Sequence, residues 1–230
     1  MCFKDKKEIV PIALLLLMYA LSAYLYPQLP DQIPTHWNAQ GEIDDYSGKF
    51  SGSLLLPIVA TFIYALFLII PKIAVYRRNI VEFGDYYWGL KTVFMMFMAS
   101  MHIVILLASL GFAGRIDLFV IVAVAALLYY VGYTLNHIKR NYFIGVRTPW
   151  TLADDRVWKK THEFSAKAFK TFAVLSVLTL LFQPHTFKIY IALIILLILA
   201  VFLYSYLVYR KLNPNTEKPK SKKKKKRKSK

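Results

Sequence analysis

A single cysteine, Cys2, stands in 230 residues, so no disulfide can form within the chain. Histidine is nearly as sparse, at five, and no two lie at the spacing of a metal-binding pair. The nine glycines form no glycine-rich phosphate loop, and no Ser, His and Asp occur together on plausible loops. These absences exclude the common enzyme classes, and neither a metal nor a cofactor is expected. Acidic residues are also few, 13 against 30 Lys+Arg. Charge is scarcest within six apolar runs, 9–26, 53–75, 92–113, 116–137, 165–183 and 187–209. None lies deep in any of them, apart from Lys167 and Lys170 near one end of the fifth.

What is there is apolar. The chain is 57% hydrophobic and 16% aromatic, with a mean hydropathy of +0.42. A run of about 20 such residues crosses a hydrocarbon core of about 30 Å as a helix. The expected fold is all-α: a polytopic membrane protein with six transmembrane helices in one bundle over 1–210. A disordered poly-lysine tail, 211–230, follows, because like charges repel and cannot build a core. Of the 30 basic residues, 27 fall at the N-terminus, in the second and fourth connections, at the start of the fifth run or in the tail. Lys49, Arg115 and Lys188 are divided among the other three connections. The positive-inside rule then places both termini in the cytoplasm and the chain in the cell membrane. The basic N-terminus and first apolar run invite a signal-peptide reading, but the run is long for one and cleavage would leave an odd number of spans. It is expected to be a span.

The charge count puts the first connection, 27–52, outside. Pro27, Pro30 and Pro34 favour extended chain, Thr35–Trp37 can form a short strand, and Asn38 to Gly41 is turn chemistry. A small external hairpin is expected, with His36, Trp37, Asn38, Gly41, Asp44 and Asp45 as candidate ligand-contacting residues. Asp31, Glu42, Asp44 and Asp45 outnumber Lys49, so this face is acidic. His36 alone among carboxylates is a poor metal site and reads better as a hydrogen-bonded histidine beside an interfacial tryptophan. Pro57 and Pro71 suggest a second helix with one proline in its first turn and its end near the other. Tyr76, Arg77, Arg78, Tyr86, Tyr87 and Trp88 read as a headgroup belt rather than a nucleic-acid surface, and no specific nucleic acid is expected. His102 is the one ionisable group near the middle of a span, either a functional group or a hydrogen-bonding link between helices. Three spans per half also raise an inverted repeat, although the halves barely match in sequence.

The fourth connection, 138–164, differs from everything around it. Asn141 to His162 reads NYFIGVRTPWTLADDRVWKKTH. Pro149 disfavours helix at Thr148, and Thr151 with Asp154 reads as an N-cap pair, restarting a helix. Val157, Trp158 and Thr161 would lay that helix on the membrane surface, with Trp158 as anchor. Candidate coupling residues are Asn141, Gly145, Arg147, Thr148, Pro149, Trp150, Thr151, Trp158 and His162. Between Gly145 and Pro149, Arg147 is held on a stiff segment, where its guanidinium can clamp the connection to the bundle.

GVRTPWTL followed by VWKKTH resembles the signature of the SdpI family of membrane proteins, named for immunity to a secreted peptide toxin. LPDQIPTHWNAQGEIDDYSGK, 29–49, is similar to the N-terminal domain of unknown function that accompanies many members. The resemblance implies an integral membrane immunity protein that protects the membrane from such a toxin and signals its presence inward. Its partners would be the toxin, a cytoplasmic regulator and the anionic headgroups met by the tail. A small-solute or lipid transporter and a non-catalytic scaffold are the alternative classes.

Overall fold

The computed structural model describes residues 6–38, 42–112, 114, 116–183 and 185–214; Gly41 and the poly-lysine segment lie outside the described residues. Among the described residues, six helices are long and apolar enough to cross a membrane. They contain α1 (Ile9–Leu25), α2 (Lys49–Ile73), α4 (Gly84–Ser109), α5 (Ile116–Leu135), α7 (Asp155–Leu178) and α8 (Thr186–Leu212). Two short helices, α3 (Arg77–Glu82) and α6 (Pro149–Ala153), lie in the connections. The protein is a multi-pass membrane protein.

Between α1 and α2, strands β1 (Gln32–Trp37) and β2 (Ile43–Gly48) pair antiparallel, with the register shifting on both sides of His36. The hairpin is longer than the sequence suggests, and Tyr26–Gln28 forms a 3-10 turn rather than extended chain. It is anchored to the bundle by the buried Ile33. A Cβ on Gly52 would lie 2.5 Å from that of Ile33, so only glycine lets strand and helix approach this closely. Leu29, Ile33 and Leu106 form the small apolar cluster beneath it.

The spans form two three-helix units. In one, α4 packs against α1 and α2; in the other, α7 packs against α5 and α8; α4 and α5 join them. The helix that packs against both others is the third span of the first unit, α4, but the second span of the other, α7, so the two halves are packed differently. All the connections carrying the basic excess meet at one end, here the signature end, and the hairpin sits at the other.

Helix α2 starts at Lys49 and runs past Pro71, so Pro57 is an interior residue rather than a first-turn one. An interior proline lacks the N–H that would bond the carbonyl four residues back, leaving that carbonyl orphaned. Neighbouring helices supply the missing donors. Ser22 Oγ donates to Ser53 O at 2.7 Å, the acceptor freed by Pro57. Tyr87 Oη donates to Phe67 O at 2.7 Å, the acceptor freed by Pro71. Trp88 Nε1 donates to Lys7 O in the 3-10 turn that precedes α1. A proline that would weaken its own helix thus becomes a fixed contact to the next one, which is how α2 continues through two of them.

Among the described residues, an ion pair lies within the spans. Helix α4 begins at Gly84 rather than Thr92, which takes Lys91 out of the connection and buries it at 3% exposure against Glu8. Tyr64 Oη donates to the other Glu8 oxygen at 2.8 Å. The expectation that no charge lies within a span apart from Lys167 and Lys170 is corrected here. Lys91 sits where polar and apolar residues mix, and only the fold reveals its carboxylate partner, more than eighty positions away.

Candidate functional site

The signature folds into a closed knot around His162. Asn141, fully buried, begins it: its Oδ1 accepts from the backbone N–H groups of Phe143 and Ile144, both at 2.8 Å, and its Nδ2 donates to Lys139 O and Ile144 O. One amide thereby meets all its hydrogen-bonding capacity and sets a tight turn. Gly145 follows at φ +109°, and a Cβ there would lie 2.4 Å from His162 Nε2. That close approach lets the Val146 N–H donate to His162 Nε2 at 3.0 Å. Nε2 is therefore an acceptor, and the ring proton is on Nδ1, which donates to Trp158 O at 2.8 Å. Trp158 stacks on the imidazole with centroids 4.0 Å apart and donates its indole N–H to Ile138 O at 2.7 Å.

The restart of the helix occurs three residues before the expected cap. Thr148, not Thr151, is the N-cap, and its Oγ1 accepts from Thr151 N while Thr151 Oγ1 accepts from Thr148 N at 2.9 Å. Thr151 Oγ1 also donates towards Val146 O at 2.8 Å. A threonine at the third position replaces the acid of the usual capping box and ties the helix to the preceding loop. Pro149 takes the first helical position, where no N–H is needed. The short α6 then places Trp150 edge-on against Phe202 of α8 and tilted on Tyr206, at 5.1 and 5.0 Å. Asp154 caps α7 by accepting from Arg156 N at 2.8 Å. Chiefly through Arg156, its carboxyl is held well below the usual range.

Trp158 is 3% exposed, so it is a packing residue within the bundle and not a lipid-surface anchor. Helix α7 runs from the knot directly into the fifth span. Arg147 is exposed and donates to Tyr142 O in its own connection. The guanidinium that grips neighbouring elements is Arg140. Its NH1 donates to Leu152 O at 2.9 Å, its Nε lies 2.8 Å from Asp155 Oδ1, and its plane sits 5.4 Å from the Tyr76 ring. Asn79 of α3 donates to Arg140 O at 2.7 Å, and Lys139 pairs with Glu82, where Lys139 and Arg78 hold the carboxyl below its usual range. Helix α3 thus connects the knot to the first unit. Sequence reasoning missed Tyr76, Asn79 and Glu82, whose partners come from another connection, and Arg140, whose partners Leu152 and Asp155 lie a dozen or more residues away in its own.

At the other end, His36 Nδ1 and Asp44 Oδ1 lie 2.6 Å apart on the exposed strands. Asn38 and Glu42 bond through both side chain and backbone, and Asp45 Oδ1 accepts from Tyr46 N. Trp37 is half-buried opposite Ile43, and Asp44, Asp45 and Tyr46 face outward. The described residues hold no group of three or more potential metal-ligating His, Cys, Asp or Glu side chains. Between the two ends, the buried His102 joins three helices. Ser22 has given its proton to Ser53 O, so His102 Nε2–H is shared between Ser22 Oγ at 3.0 Å and Met18 O at 3.1 Å.

Residues 137–207, which contain the knot and most of the second unit, match the SdpI/YfhL protein family. Residues 13–61, containing the hairpin, match a domain of unknown function, DUF1648. The chain is also 29% identical over 218 residues to the Immunity protein SdpI of Bacillus subtilis (strain 168), covering 90% of this chain and 98% of that one. Both matches and the near full-length similarity support the SdpI family. No solved structure matches it. The residues that carry this SdpI-family signature are mostly those that close the knot, so the motif specifies a fold of the connection more than a reactive centre.

Proposed function

We propose that this protein protects the membrane in which it sits from a secreted peptide toxin, with the hairpin end as the receptor and the signature end as the output. The supporting observation is the near full-length similarity to an immunity protein, extending over both the hairpin and the knot. The charge distribution supports a hairpin facing outward and both termini facing the cytoplasm. The exposed carboxylates of Asp44 and Asp45 beside Trp37 and Tyr46 suit a cationic amphipathic peptide, since charge steers the encounter and aromatic area holds it. Arg140 and the His162 knot hold α7 against α3 and α5, from which a ligand's effect would pass to a cytoplasmic regulator. Expression in a toxin-sensitive host is expected to raise survival over empty vector, in proportion to the amount of protein in the membrane. Equal killing of both hosts, with the protein present, would refute the reading.

A further inference from the structure

Lys167 and Lys170 lie on α7, inside the stretch 155–181 that is apolar enough to span. Neither has a carboxylate within ion-pair distance among the described residues. Lys91, the lysine buried at 3% exposure in a span, is by contrast neutralised by Glu8. Their depth follows from the packing. The Cβ that Gly132 lacks would lie 3.0 Å from both Lys170 Cγ and Ala166 O, so the lysine stem crosses α5 at that glycine. Gly132 stands three residues before the end of α5 at Leu135, about one turn or 5 Å inside the signature end. Long side chains on a helix lean towards its N-terminus, which for α7 is the same end, so both ammonium groups reach back towards the headgroups.

We propose that Lys167 and Lys170 bind the phosphate of one anionic phospholipid in the groove between α5 and α7. Lys167 is exposed and Lys170 half-buried. The two are three apart on the helix, so one phosphate can receive both. Tyr129 and Tyr133 of α5, 51% and 46% exposed, stand three residues before and one after Gly132 and suit the interfacial part of a lipid. Glu163, also exposed, precedes Lys167 by one turn and opposes the phosphate from the headgroup side. The lipid anchors α7 at its first intramembrane turns, just beyond the His162 knot, independently of any toxin.

The test uses the full chain purified in a mild detergent and mixed with phosphatidylglycerol or phosphatidylcholine, with bound lipid counted by native mass spectrometry. One phosphatidylglycerol is expected per chain, retained at least about fivefold over phosphatidylcholine, in line with the worth of each basic residue near anionic lipid. Lys167→Gln with Lys170→Gln should abolish that preference, Lys167→Arg with Lys170→Arg should keep it, and Glu163→Gln should raise it. Lys159→Gln with Lys160→Gln should leave it unchanged. Equal retention of both lipids by the unaltered chain would overturn the site. So would loss of preference in the Lys159/Lys160 variant equal to that in the Lys167/Lys170 variant, since diffuse charge would then suffice.

Discussion

At the scale of single residues, Gly145 and His162 carry the heaviest constraint. A side chain at Gly145 would need both a positive φ and the space that His162 Nε2 occupies. Gly145→Ala is expected to cost at least about 1–3 kcal/mol from the backbone alone, and more from the contact. Gly84→Ala, where a Cβ meets nothing within 4 Å, is the control and should leave thermal stability in detergent nearly unchanged. The same scale separates the two arginines. Arg140→Ala removes contacts to Leu152, Asp155 and Tyr76 and should lower the melting temperature clearly; Arg147→Ala loses one exposed bond and should not. Asp154 adds a pH dependence. Its folded pKa is depressed, so its contribution is complete above the unfolded value of about 4 and is lost as pH falls below that. Asp154→Asn should flatten that part of the acid limb and leave stability near neutrality lower than in the unaltered protein.

At the scale of elements, the prolines make the clearest case. If Tyr87 serves the carbonyl that Pro71 orphans, the two substitutions must be coupled. Tyr87→Phe should cost about 1–2 kcal/mol in the unaltered chain and much less in a Pro71→Ala background, where the helix supplies its own donor. Additive losses would mean that Tyr87 stabilises α2 by packing alone. The six spans were legible from their apolar runs, and the hairpin from three prolines, a short strand and a turn. The starts of α2 and α4 were not. Lys49, Lys91 and Tyr87 interrupt hydropathy, yet Lys49 lies over the Tyr26 ring and the polar groups of the other two find partners on other spans. The cap of α6 was misplaced for a related reason. Thr148 and Thr151 bond each other reciprocally, and sequence alone favoured the threonine with an acid three residues later.

At the scale of the whole molecule, the knot was visible as an unusual composition, but its architecture depended on contacts that no local pattern encodes: Trp158 to Ile138, Arg140 to Asp155, and α3 to the knot. The hairpin at the far end should act through its surface. Asp44→Asn with Asp45→Asn is expected to weaken protection without reducing protein level. Protection indifferent to these charges but lost in Trp37→Ala would make the contact apolar. The account as a whole depends on the hairpin and the knot facing opposite sides of the membrane. Tyr46→Cys and Lys159→Cys, each at an exposed position in a Cys2→Ser background, test this with a membrane-impermeant maleimide on intact cells. Labelling of the first alone, with the second reacting only after the membrane is opened, is the result expected. Labelling of Lys159→Cys in intact cells, with Tyr46→Cys protected, would contradict it.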